Sequence, residues 1–196
     1  MTYEGQPFAA TWNTNCAGKT ASFQSIFRRD TQAPSGVDVN FAAKDREESR
    51  WSLDIPASEL ARIAQANRVT GLDLYIDHLS DKVYAIKVRD GTRSKDVDFI
   101  TLQKALGEDR LLSNDFTVEL DEKMVHFRGY GVGHGVGLCL YSSIQMAKKG
   151  DSAPEILDEF YPETKLDKMR SYPPSVITAT SSRYFIAPHT KKEPRP

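Results

Sequence analysis

The feature that most constrains this chain is a run of alternating glycines between Phe127 and Leu138. Five of the chain's 12 glycines fall within nine positions, 129–137, and His134 lies near the middle of the run. Glycine accepts positive φ angles and lets another backbone approach closely. The run therefore predicts a loop whose N–H groups face a ligand or an adjacent strand.

A helical pattern follows this loop, with Leu140, Tyr141, Ile144 and Ala147 as its apolar residues and Gly150 placed to end the helix. The loop would then deliver its last amides to a helix N-terminus, which suits an anion or a sugar hydroxyl. A nucleotide site is disfavoured, because no Gly-Lys-Ser/Thr ending follows and the preceding strand is the second arm of a hairpin. One alternative stays open, in which the glycines only let a strand and a helix cross closely.

The chain as a whole predicts an α+β fold with a largely antiparallel sheet, a short mid-chain helix and two C-terminal helices. Asp90-Gly91 is typical of a tight hairpin turn between two strands. Ser58 and Thr101 are suitable N-caps for helices, and Ser152-Ala-Pro-Glu155 has the residues of a capping box. Trp12 is expected to pack in the core.

Composition narrows the classes of partner. The 196 residues carry 26 basic and 27 acidic side chains, a net charge of -1, so no strong field recruits nucleic acid or anionic lipid. No apolar run approaches the ~20 residues that cross a bilayer, and no signal peptide follows Met1. We expect no nucleic-acid binding and no membrane insertion by this chain.

Several stretches, in the same order, resemble the SpoIID/LytB domain of stage II sporulation protein D and the amidase enhancer. The most specific is Gly131-Val-Gly-His-Gly-Val-Gly-Leu138. The others are Thr2-Tyr-Glu-Gly-Gln-Pro-Phe-Ala9, Asn15-Cys-Ala-Gly-Lys-Thr20, Trp51, Leu106-Gly107, Ser113-Asn-Asp-Phe116, Met146-Ala147, Gly150, Ile156-Leu157 and Phe160-Tyr-Pro-Glu-Thr-Lys-Leu166.

The resemblance implies a bacterial protein that acts on cell-wall peptidoglycan, since the characterised member is a lytic transglycosylase that cuts glycan strands stripped of their peptides. It covers about residues 2–166, and we assign 2–169 to the domain and 170–196 to a proline-rich, partly disordered tail. We expect this chain to be the C-terminal portion of a longer exported protein, located in the cell envelope or secreted.

Three departures bear on activity. The family's catalytic glutamate lies upstream of the segment that begins here at Thr2, so no residue inherits that role. The family's His-Ser-x-Cys-Gly-Gly reads Asn13-Thr-Asn-Cys-Ala-Gly18, and its Ser-Gln-x-Gly-Ala reads Cys139-Leu-Tyr-Ser-Ser143. We therefore expect recognition of peptidoglycan glycan without catalysis. Two alternatives remain, an active lytic transglycosylase or amidase enhancer, and a non-catalytic assembly module that supports an upstream catalytic segment or a cell-wall amidase.

The predicted substrate-binding residues centre on the glycine loop. His134 has little side-chain packing between its glycine neighbours, which leaves its ring free for hydrogen bonds at a cleft. Tyr130 is the preferred aromatic for stacking on a sugar, ahead of Trp12, Trp51 and Tyr141. The full set is His134, Gly131, Gly133, Gly135, Tyr130, Cys16 and Thr20.

No cofactor is predicted. Zinc is an alternative, because Cys16, Cys139 and His134 are soft or borderline ligands, but a structural zinc site needs four such groups and no Cys-x-x-Cys spacing exists. The two cysteines permit one disulfide without requiring it.

Overall fold

The computed structural model describes residues 1–29, 31–39 and 47–166, so the tail predicted at 170–196 lies outside the described residues. The described residues fall in one unit, Met1–Leu166. The helices are α1 (Phe23–Phe27), α2 (Ala57–Ile63), α3 (Phe99–Leu106), α4 (Leu140–Lys149) and α5 (Ala153–Phe160). The strands are β1 (Thr2–Tyr3), β2 (Gln6–Pro7), β3 (Trp12–Asn13), β4 (Arg50–Pro56), β5 (Gly71–Asp77), β6 (Lys82–Asp90), β7 (Arg93–Asp98), β8 (Asp115–Leu120), β9 (Met124–Tyr130), β10 (Leu138–Cys139) and β11 (Thr164–Lys165).

Two antiparallel three-stranded sheets form most of the structure, in the orders β4-β9-β8 and β5-β6-β7. A third antiparallel sheet joins β11, β1 and β2, and β10 pairs with β3 in parallel. The predicted α+β class, the mid-chain helix α2 and the C-terminal helices α4 and α5 are confirmed. In the part of the chain that is described, no helix has the length and apolar character of a membrane span.

The main core lies where these two larger sheets meet α2 and α3. Alternation along β4 and β9 turns Ile55, Val125 and Phe127 inward, and all three are fully buried. Leu60 of α2 and Leu102 of α3 join the same cluster. Burial of these side chains is what fixes the register of the sheets, because a shift by one residue would expose every one of them.

Helix ends agree with the sequence at some positions and differ at others. The capping box at Ser152 is present, and Gly150 ends α4 with a φ of 107°. Ser58 does not cap α2, which begins one residue earlier after Pro56. Thr101 does not cap α3 either, because the Asp98 side chain accepts the Thr101 N–H at 2.9 Å.

The prediction that Trp12 packs in the core is wrong. Trp12 is 57% exposed, since β3 lies at a sheet of only two short strands and has little to pack against. Helix α4 turns Ile144 and Ala147 outward and buries Ser142 instead. Ser142 faces inward because its hydroxyl donates to Cys139 Sγ at 3.4 Å.

Candidate functional site

The amides of the glycine loop are largely used inside the protein. Gly131 N donates to Ser49 O and Gly133 N donates to Leu112 O, each at 2.8 Å. Of the two predicted alternatives, a ligand or an adjacent strand, these two N–H groups therefore agree with the second. The loop runs between other backbone segments, which take its hydrogen bonds as an adjacent strand would.

The alternating glycines allow this close passage. A Cβ at Gly137 would lie 2.2 Å from Thr11 O, and one at Gly133 would lie 2.8 Å from Asn13 Cβ. Gly131, Gly133, Gly135 and Gly137 also have positive φ angles, from 69° to 110°. The structure thus supports the packing alternative, with residues 11–15 as the segment that the loop crosses.

Two buried asparagines donate hydrogen bonds to carbonyl groups of the glycine loop. Asn13 Nδ2 donates to Val136 O and Leu138 O, both at 3.4 Å, and Asn114 Nδ2 donates to His134 O at 3.0 Å. Asn13 stands where the resembled family has histidine, and it serves here as a support of the loop. No local pattern indicated this role, because only the fold brings residue 13 beside residue 136.

The His134 ring is more constrained than its glycine neighbours predict. Its Nδ1 accepts the Val136 N–H at 3.1 Å, and its edge packs against Phe27 with 5.1 Å between ring centroids. Because Nδ1 accepts, the neutral ring carries its proton on Nε2. Burial lowers the pKa of His134 to about 4, so the ring is a neutral hydrogen-bond donor at neutral pH.

Three other predicted site residues have structural partners. Cys16 is buried against Cys139. Tyr130 is the last residue of β9 rather than part of the loop, and its carbonyl accepts the Ser113 hydroxyl at 2.6 Å. The Thr20 hydroxyl accepts the Val37 N–H at 2.9 Å, which ties residue 20 to residue 37 across the wall of a groove.

This groove has a volume of about 340 Å³ and is lined by both polar and apolar groups. Six of its nine lining residues carry a hydroxyl or a carboxylate: Thr20, Ser22, Ser25, Ser35, Asp38 and Asp77. Ala21 N donates to Gly135 O at 2.7 Å, which joins the glycine loop to the groove wall between Thr20 and Ser22. The loop therefore supports the groove from behind, and Thr20 is the one predicted site residue in its lining.

A pair of stacked aromatic rings lies close in sequence to the groove residue Asp77, and a cation lies over each ring. Tyr75 of β5 is two residues before Asp77, and its ring stacks on Tyr84 with centroids 5.8 Å apart. Lys87 Nζ lies over the Tyr75 ring at 5.1 Å. The pairing of β5 and β6 shifts register between Tyr75 and Ile76, and Tyr84 falls in that irregularity. A bulge of this kind re-aims a side chain. Arg28, at the end of α1, lies over the Tyr84 ring at 4.9 Å.

The metal alternative finds no support in the described part of the chain, where no three His, Cys, Asp or Glu side chains are grouped to hold an ion. His134 Nδ1 accepts a backbone N–H and Nε2 carries the proton, so neither ring nitrogen has a free lone pair for a metal in this tautomer. The groove remains as the candidate site.

No model of a known protein family matches this chain. An uncharacterized protein of Brachyspira hyodysenteriae is 25% identical over 164 residues, which cover 81% of this chain and 43% of that protein. The chain thus spans less than half the length of this curated relative. The similarity adds nothing on function, because the relative is itself uncharacterized.

Proposed function

We propose that this chain recognises the glycan strands of peptidoglycan, as the C-terminal portion of a SpoIID/LytB-like domain in a cell-wall remodelling protein. The observation that carries the proposal is the groove, in which six of the nine lining residues carry a hydroxyl or a carboxylate. Sugar hydroxyls donate to carboxylates and exchange hydrogen bonds with serine and threonine.

The dimensions of the groove suit this class of ligand. A volume of about 340 Å³ lies at the lower end of the range for small-molecule sites, which is enough for one or two sugar rings. Arg28, which lies over the Tyr84 ring, is a cation that would meet a carboxylate or an acetyl carbonyl of the glycan.

His134 is not in the groove lining, but its ring packs against a helix that contributes to the groove. Its Phe27 contact lies on α1, the helix whose Ser25 lines the groove. A fixed Nε2–H is a directional donor, and it needs no change of protonation to bind a sugar oxygen. We therefore keep His134 as a binding residue and assign no catalytic residue.

We propose recognition without cleavage, and the setting of Asp77 supports it. General acid catalysis on a glycoside needs a carboxyl group in an apolar pocket, whereas Asp77 lies among hydroxyls and accepts hydrogen bonds from Ser80 N and Oγ. Absence of general acid catalysis costs on the order of 10²–10⁴ in rate. In a full-length protein, a catalytic segment outside this chain would supply that acid, and the site of action would be the cell envelope.

A second candidate function is assembly with a catalytic segment or a cell-wall amidase. Exposed apolar residues near the parallel pair of β3 and β10 favour it, because Trp12 pairs in register with Leu138 and the exposed Leu140 follows two residues later. Exposed large apolar side chains grouped in this way are typical of protein interfaces.

Sedimentation of the purified chain with glycan strands stripped of their peptides, followed by chromatography of the soluble fraction, separates these functions. Recognition predicts that the chain sediments with the glycan and that no soluble fragments form. Release of fragments would establish the active transglycosylase instead. Assembly would be established by two results together. The chain would stay in solution when the glycan sediments, and it would bind an amidase in a way that Trp12→Ala abolishes.

A further inference from the structure

Cys16 and Cys139 face each other in a small core beside the glycine loop. Cys16 is 2% exposed and Cys139 is fully buried, and both pack in one cluster with Phe160 and Tyr161. Both are free thiols in this structure. They are the chain's only cysteines, so any intramolecular disulfide must join them.

Three donors converge on the Cys139 sulfur. Cys16 N donates to it at 3.2 Å and the Ser142 hydroxyl at 3.4 Å, and the Cys16 thiol is the third donor. These hydrogen bonds, that of the Cys16 thiol first, lower the pKa of Cys139 to about 6. The same shared proton, together with burial, raises the pKa of Cys16. Of the two sulfurs, Cys139 is therefore the one that these contacts favour as the thiolate nucleophile.

We propose that Cys16 and Cys139 are a disulfide site, closed by a thiol–disulfide oxidant when the chain folds in an oxidising compartment. The two sulfurs lie on segments that the fold already holds together, since β10 pairs with β3 and Tyr141 N donates to Thr14 O at 3.0 Å. Closing the bond therefore requires no rearrangement of topology.

The chemistry consumes one disulfide-bearing oxidant, such as oxidised glutathione. The Cys139 thiolate attacks one sulfur of the oxidant, forms a mixed disulfide and releases the first thiolate of the oxidant. The Cys16 thiol then loses its proton and attacks Cys139 Sγ, which expels the second thiolate. One proton leaves Cys139 when it ionises and one leaves Cys16, the two released thiolates take up these protons, and two electrons pass from the cysteines to the oxidant.

The bond would link the segment before the Cys16 turn to the start of α4, two positions separated by 123 residues in the chain. A cross-link over so long a loop restricts the unfolded chain strongly. Because neither sulfur is open to solvent in the folded chain, oxidation should be fast during folding and slow once folding is complete.

Refolding of the denatured, reduced chain with oxidised glutathione tests the proposal, with thiols counted by alkylation under denaturing conditions and intact mass. We expect no alkylatable thiol, a mass lower by two hydrogens, and one cross-linked peptide pair containing Cys16 and Cys139. The oxidised chain should unfold at a temperature higher on the order of 10 °C than the reduced chain. Addition of a thiol reductant should abolish the difference.

The single variants Cys16→Ser and Cys139→Ser are the matched controls, and oxidant should raise the unfolding temperature of neither. The intact-mass measurement uses the unsubstituted chain, so the test holds even if a variant folds poorly. Two free thiols, or one glutathione on each cysteine, after refolding of the unsubstituted chain would overturn the proposal. Thiols that become reactive only after a chelator is added would overturn it in favour of a metal site.

Discussion

Lys82 Nζ lies 2.8 Å from Asp115 Oδ2 and 2.7 Å from Cys16 O, although the Lys82 side chain is only 1% exposed. The ammonium thus connects β6, β8 and the turn that carries Cys16. Nothing in the sequence around Lys82 predicted this burial, because an isolated lysine at the start of a strand usually faces solvent.

The first prediction concerns this ion pair. Lys82→Met keeps the aliphatic length but leaves the Asp115 carboxylate buried without the ammonium, so unfolding in urea should show a loss of about 3–5 kcal/mol. Lys19→Met is the matched control, since Lys19 makes the same 2.8 Å contact with Asp81 at the surface. Solvent screens that pair, and its loss should change stability little. Equal effects of the two substitutions would contradict the structure.

The second prediction concerns Gly129, which opens the glycine run. An added Cβ would lie 2.2 Å from Trp51 Cζ2, and the Trp51 indole is held by its 3.0 Å hydrogen bond to Ser113 Oγ. Gly129→Ala should therefore cost at least about 1–3 kcal/mol. Gly91→Ala is a useful control, because its Cβ meets nothing within 4 Å and only the positive φ of 61° opposes it. A Gly129→Ala chain as stable as the unsubstituted one would contradict this packing.

The third prediction is a pH dependence from His134. The unfolded chain takes up a proton near the ordinary histidine pKa of 6.5, whereas the folded chain resists it down to about 4. The unfolded state therefore binds more protons in this window, and stability should fall as pH drops from 6.5 to 4, on the order of 3 kcal/mol from this group. Above pH 6.5 the group contributes no slope.

His134→Gln should flatten that part of the curve of unfolding free energy against pH. Gly129→Ala retains the histidine and lowers stability by another route, so it should keep the slope of the unsubstituted chain. An unchanged slope in His134→Gln would show that the ring is not the buried neutral donor described above.

The fourth prediction is a pH dependence of stability with the opposite sign, caused by His126. His126 Nδ1 lies 2.9 Å from Asp54 Oδ1 and Nε2 lies 3.0 Å from Asp121 Oδ2, and these two contacts, that with Asp121 first, raise the pKa of His126. The contribution is fully present below pH 6.5 and is lost as pH rises through the raised pKa. Proton NMR of the His126 ring should give a midpoint above 6.5, and Asp54→Asn should lower it. A midpoint below 6.5 would contradict these contacts.

Local chemistry explains which features could be predicted from the sequence. The capping box at Ser152 and the turn at Asp90-Gly91 depend on a few neighbouring residues, so their patterns were sufficient. The cap of α3 was missed because Asp98 and Thr101 both satisfy the local rule, and the chain uses the earlier one.

The candidate site could not be predicted in the same way. Its lining comes from residues 20–38 and from Asp77, which only the tertiary fold brings together. The glycine loop was conspicuous in the sequence, yet its role at Gly131 and Gly133 is to pass closely between other segments. His134 was found through its glycine neighbours, while the constraint on its ring comes from Phe27, more than a hundred residues away.

The most direct test of the proposed function is calorimetric titration of glycan strands stripped of their peptides into two tryptophan variants. Ser35 is exposed at the rim of the groove, and Ser35→Trp would fill the groove with an indole. Ser94→Trp adds the same bulk to an exposed position of β7, which does not line the groove. We expect Ser35→Trp to weaken glycan binding at least about 10-fold, or 1.4 kcal/mol, and Ser94→Trp to bind as the unsubstituted chain does. Equal affinity in both variants, or no binding by the unsubstituted chain, would contradict glycan recognition by this groove.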